Sequence, residues 1–139
     1  MAGIMTFDKP RFNNDCQYEL IRLAWKSNTI VVGGAQKMFD FFIKKYKPES
    51  IVSYCDISKF TGKVYKNLGF EYDGASNPNY KWVNTYNGRV MTRYQTMKSN
   101  LVKIGFGTPE QTEDEIMQGK HYSKVYDCGN ARYIWKDTK

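Results

Sequence analysis

The chain has a single histidine, His121, among its 139 residues, which rules out a histidine-rich metal site. Cysteine is scarce too. Cys16, Cys55 and Cys128 are an odd number with no Cys-x-x-Cys pair, which argues against a disulfide framework and a zinc ribbon and suits a reducing cytosol. Long apolar runs are missing, so neither a membrane span nor the apolar stretch of a signal peptide is expected. What remains is a cytoplasmic protein with no metal and no membrane partner. Aromatics, at 16%, are not lacking, and with 41% hydrophobic residues they exclude a disordered chain. The length suits one domain, 1–139, able to bury a core without staples. Twenty-one Lys+Arg against fourteen Asp+Glu give a net charge of +7, which points to an anionic partner.

The hydrophobic pattern sets out an α/β order. A short strand is expected around Ile4–Phe7, ended by Lys9-Pro10-Arg11, and a second over Tyr18–Trp25, although that run also suits two helical turns. Gly33-Gly34 then opens a helix from Ala35 to Tyr46, with Met38, Phe39, Phe42, Ile43 and Tyr46 on one face. Lys47-Pro48 closes it. Ser50–Cys55 reads as a buried strand and Ser58–Leu68 as a second helix stopped by Gly69. That strand-helix-strand-helix order implies a parallel strand pair. Phe70–Tyr72 and Tyr80–Val83 are short strands. Asn87-Gly88 signals a tight hairpin between Trp82–Tyr86 and Arg89–Met91, and Gly129-Asn130 signals another between Tyr122–Cys128 and Ala131–Lys136. A basic helix is expected within 92–104. Thr108 with Gln111 reads as the capping box of a helix from Pro109 to Gln118.

Two local features carry chemistry. Glycines at Gly33 and Gly34 allow a ligand to approach the backbone, and amides at a helix start favour a phosphate; Lys37 adds charge. The same glycines could equally serve only a tight turn. Tyr65, on the second helix, could donate a proton to a leaving group or be one more buried aromatic. Neither the GxGxxG nor the GK[ST] pattern is present.

Val32-Gly33-Gly34-Ala35 opening a helix, then Ile51–Tyr54, then Gly62–Phe70 together resemble N-acetyltransferases of the GNAT superfamily. That resemblance implies a GNAT-like mixed sheet flanked by helices. It implies acetyl-CoA or a related acyl donor bound at Val32, Gly33, Gly34, Ala35, Gln36 and Lys37, with Tyr65 as general acid toward the thiolate. Within it, 1–91 would be the cofactor half and 92–139 a C-terminal extension of helix and β-hairpin; the usual N-terminal part of the fold has no counterpart here. Over about Met5–Trp135 the segments Met5–Phe12, Val31–Ala35, Ser53–Asp56 and Tyr126–Asn130 resemble phage proteins of the Mom type, also found as domains beside homing endonucleases. This narrower resemblance implies transfer of an acyl-type group to adenine in DNA, in the cytoplasm of a host cell.

Asp56 and Asp127 stand at strand ends, where catalytic groups often sit, though aspartates cap turns as well; Asp56 is the carboxylate candidate. Cys55 and Cys128 read as core or strand residues, since an unpaired cysteine behaves as a small hydrophobe. Lys44, Lys45, Lys59, Lys63, Arg89, Arg93 and Lys98 form a distributed basic surface for DNA, interleaved with Tyr80, Trp82, Tyr86 and Tyr94, which could stack bases. Acidic residues around 110–115 mark a face expected to be free. A sheet with an uncovered edge could be completed by a second copy. The alternative to an enzyme is a non-catalytic DNA- or protein-binding module, such as an endonuclease accessory or counter-defence protein.

Overall fold

The computed structural model describes residues 1–138 and is a mixed α/β protein with two sheets and four helices among them. The chain forms two compact units. One comprises 1–76 and 129–139; the other, 77–128, is inserted in it.

In the larger unit, strands β1 (Gly3–Asp8), β2 (Tyr18–Trp25), β3 (Ser50–Asp56), β4 (Glu71–Ala75) and the final strand (Asn130–Lys136) build a five-stranded sheet. The final strand, β8 in chain order, lies between β3 and β4, so the order is β1-β2-β3-β8-β4. Only β2 and β3 are parallel, as the connecting helix requires. That helix, α1 (Gly34–Tyr46), buries Phe39 and Phe42 against Leu20, Ile51 and Tyr133. Lys44 and Lys45 occupy its last turn, where cations complement the carbonyl ends. On the opposite face of the sheet, Glu19 is 1% exposed. Its carboxylate accepts from Arg11 through the backbone N–H at 2.9 Å and Nη2 at 2.8 Å, which offsets the cost of burying the charge.

The second helix is shorter than its periodicity predicts. α2 spans Lys63–Asn67, because the chain first makes a turn at Asp56–Lys59 and then passes Gly62 at φ 72°. Tyr133 Oη occupies the space a Cβ on Gly62 would need, so only glycine brings the helix this close to β8.

In the inserted unit, β5 (Tyr80–Asn84) pairs with β6 (Val90–Thr92) on one side and β7 (Tyr122–Tyr126) on the other. α3 (Lys98–Lys103) and α4 (Glu113–Gly119) complete it. The core is Trp82, Met91, Leu101, Ile116, Met117 and Tyr122. The β5–β6 hairpin forms, but the strands are joined by residues 85–89 instead of a two-residue turn. The Asn84 side chain makes this possible by accepting from the amides of Tyr86 and Asn87.

Three expectations are corrected. The C-terminal β-hairpin does not form: β7 pairs with β5, while β8 pairs with β3 and β4. Alternating strands fit several partners, and burying Ala131 and Tyr133 in the larger core outweighs the local turn signal. α4 starts at Thr112, not Thr108. Thr112 and Glu115 make the capping box, and Thr108 with Gln111 forms a separate turn upstream. The basic helix within 92–104 is confined to α3, since Thr92–Thr96 is taken by a turn in which Thr92 and Gln95 bond each other.

Candidate functional site

β2 and β3 stay paired for three residues only, Tyr18 with Ile51, Glu19 with Val52 and Leu20 with Ser53. Beyond that, β2 runs on beside β1, and β3 runs on beside β8. The facing edges of Ile21–Trp25 and Tyr54–Asp56 are left unpaired with each other. This opening lies at the carboxyl end of the parallel pair, where α/β sheets place ligands. It begins at a bulge: Phe7 pairs with Leu20 and Thr6 with Arg22, so Ile21 is an extra residue in β2. A bulge ends a ladder and re-aims the backbone. Nothing in the run Tyr18–Trp25 signals it.

From Trp25, residues 26–33 lead to the start of α1. The two glycines have different duties there. Gly33 has φ 68° and open space in the Cβ direction, whereas Gly34 lies beneath the Trp25 ring with no room for a side chain. Gly34 N–H donates to the Val31 carbonyl at 3.1 Å and Lys37 N–H to that of Gly33 at 3.0 Å. The amides of Ala35 and Gln36 meet no carbonyl. No side chain caps this helix and no acidic residue occupies its first turn. The Gln36 side chain is held by Asp40 at 2.7 Å; Val32 is 91% exposed and Lys37 is exposed. Two free amides, the positive end of a thirteen-residue helix and a glycine with an open flank fit a phosphate-bearing group.

Tyr65, on α2, stacks on Tyr133 at 5.2 Å and meets Phe70 edge-on at 5.8 Å. Burial pushes its phenol above the ordinary value, and a hydrogen bond with the Ser53 hydroxyl works against that shift. Ser53, fully buried, donates to the Leu20 carbonyl at 2.8 Å across the last parallel pair. Tyr65 therefore reaches the point where β2 and β3 part, and at neutral pH it holds its proton. Asp56, at the end of β3, has another occupation. Its Oδ1 accepts from the Ser58 amide and hydroxyl, and Lys59 lies 3.5 Å from Oδ2. The Ser58 bonds hold this carboxylate below its usual range, which makes it a weak base.

No protein-family model and no curated protein matches the chain.

The basic residues divide between the units. Lys44, Lys45, Lys59 and Lys63 are exposed on the larger one; Arg89, Arg93 and Lys98 are exposed on the inserted one. Of the four aromatics considered for stacking, Tyr86 and Tyr94 are exposed, but Trp82 is buried and Tyr80 half-buried. Trp82 Nε1 and the Thr96 hydroxyl both donate to Glu113 Oε1, at 2.8 and 3.1 Å, and Tyr80 Oη is 3.2 Å from Oε2. Glu113 thus turns inward as the anchor of α4, so the acidic segment is not simply a free face. Cys55 is buried in β3, but Cys128 is exposed and lies between β7 and β8, against the expectation of a core or strand position. Among the described residues, no cluster of three or more His, Cys, Asp or Glu side chains could hold a metal ion, and no helix is long and apolar enough to cross a membrane.

Proposed function

We propose that the larger unit is a GNAT-like acyl-transfer domain related to the Mom-type phage proteins, with adenine in DNA as acceptor. The observation that carries the reading is the parallel pair that parts at a bulge, with an open helix N-terminus on one side and a proton-holding tyrosine on the other. The amides of Ala35 and Gln36, with Gly33 beside them, would hold the pyrophosphate of acetyl-CoA or a related donor, and Lys37 would add charge. Such a donor supplies an activated acyl group and a thiolate leaving group. Tyr65 keeps a proton on its phenol oxygen and is aligned by stacking on Tyr133 and by Ser53. Acid assistance of that kind is worth roughly 10²–10⁴-fold in rate. An amine of a base becomes reachable in a single strand or after extrusion from a duplex.

One observation favours a second reading, a non-catalytic nucleic-acid-binding module: Asp56, the carboxylate at the end of β3, is engaged by Ser58 and Lys59 and is not poised to deprotonate an acceptor. Calorimetry with acetyl-CoA and mass spectrometry of nucleosides from co-expressed DNA separate the two. The enzyme reading expects binding and a modified adenosine that Tyr65→Phe reduces at least a hundredfold without loss of binding. Absence of binding at millimolar acetyl-CoA overturns it.

A further inference from the structure

Between β1 and α1 the larger unit carries a groove of about 580 Å³, open to solvent. This is the size of a site for a small organic group, and it is distinct from the opening between β2 and β3. Its floor is aromatic. Phe7 and Phe42 stack at 3.5 Å and 7°, and Tyr18 meets Phe42 edge-on at 5.3 Å. Its rim is also aromatic but more exposed: Phe41 is 65% and Tyr46 49% exposed, Tyr46 keeping ring contacts with Phe42 at 4.9 Å and Tyr18 at 6.5 Å. The ammonium of Lys45 lies 5.7 Å from the Phe41 ring and 5.3 Å from the Tyr46 ring. Lys37 lines the groove, and Lys44 and Lys47 are exposed nearby in sequence. Against these cations α1 has one acid, Asp40, already bonded to Gln36.

Exposed ring faces with cations beside them make a surface for planar groups joined by anions. An apolar protein segment would use the rings but would desolvate the lysines. A second copy docking on the same groove would bring a second set of α1 lysines against the first, since a two-fold interface uses the same patch twice. Duplex DNA offers phosphates, but its base faces are stacked away. We infer that the groove binds single-stranded nucleic acid, with unpaired bases stacking on Phe41 and Tyr46 and the backbone phosphates meeting Lys45 and its neighbours. The inference deepens the proposed acceptor of this unit and rests on that reading only for the base being an acceptor.

Fluorescence anisotropy of a short labelled oligothymidylate, measured against a duplex of the same length at several salt concentrations, tests it. The single strand should bind at least tenfold more tightly than the duplex. Phe41→Ala should weaken single-strand binding about tenfold, and Lys45→Ala should reduce the slope of log K against log salt by about 0.7. Both side chains are exposed, and unchanged melting curves would show that the variants fold. Gln36→Glu should abolish the response to acetyl-CoA and leave oligonucleotide binding within twofold, so loss of either site is seen separately. Equal affinity for duplex, or affinity indifferent to both groove substitutions, overturns the inference. So does a dimer in light scattering that Phe41→Ala converts to monomer, because the groove would then belong to a second copy.

Discussion

The N-termini of α1 and α4 solve the same physical problem in opposite ways. Both begin with amides that no preceding turn can satisfy. α4 closes its own start: Thr112 accepts from Glu115 N–H at 3.2 Å, Glu115 returns a bond to Thr112 N–H at 2.7 Å, and Glu113, Asp114 and Glu115 crowd the first turn. Glu113 also ties the helix to Trp82 and Thr96. α1 does none of this. It starts at a glycine with no side-chain cap, no acid and two amides without a carbonyl. A helix end satisfied by its own sequence is a structural joint; one left open on the surface, beside a break in a parallel ladder, is where an outside anion can complete it.

The contrast can be broken from either side. Glu113→Ala should have the largest effect, since it leaves the buried Trp82 indole N–H without its charged acceptor, while the Thr96 hydroxyl keeps the carbonyls of Thr92 and Arg93. About 2–3 kcal/mol of stability should disappear, read as a drop in denaturant midpoint with unchanged slope; a loss under 0.5 kcal/mol would mean water replaces the carboxylate freely. Next comes a matched pair of changes at the two helix starts. Thr112→Ala should cost about 1 kcal/mol, whereas Gln36→Glu should change stability by no more than a few tenths of a kcal/mol, because a negative charge suits that end but replaces the donor to Asp40 with a like charge four residues away. A loss as large as that of Thr112→Ala would remove the contrast between the two helix starts. The smallest effect concerns Tyr65. Its phenol titrates above the ordinary value because burial disfavours the phenolate. The stability tied to it is therefore complete below pH ~10, the unfolded value, and falls as pH rises from there through the folded one. Melting temperatures of Tyr65→Phe should fall less steeply than those of the parent above pH ~10, and parallel curves would contradict the burial of that phenol.

Much of the larger unit was legible in order of elements. Tyr18–Trp25 is a strand to the residue, α1 ends at Tyr46 as Lys47-Pro48 requires, and the parallel pair joined by α1 is present. The glycine pair was legible as a feature but not in its division of labour, because Gly34 is needed for Trp25, nine residues away in sequence, and Gly33 for its φ. The bulge at Ile21 left no mark, since a bulge is set by the register of two strands and not by either strand's composition. Asp56 read as a carboxylate at a strand end; its partners Ser58 and Lys59 were adjacent in the chain, yet only the turn brought them onto its oxygens.

By itself the sequence determined the local facts that depend on neighbours within a turn or two: where α1 begins and ends, that Phe39 and Phe42 face the core, and that α4 carries acids at its start. The tertiary structure alone decided what depends on partners far along the chain. It gave β8 to β3 and β4 instead of β7, because burial of Ala131 and Tyr133 outweighs a local turn preference. It also set Tyr65 beside Ser53 and left Phe41 and part of Tyr46 exposed at the rim of a groove, because packing fixes which of several equally aromatic side chains face inward and which are left for another molecule.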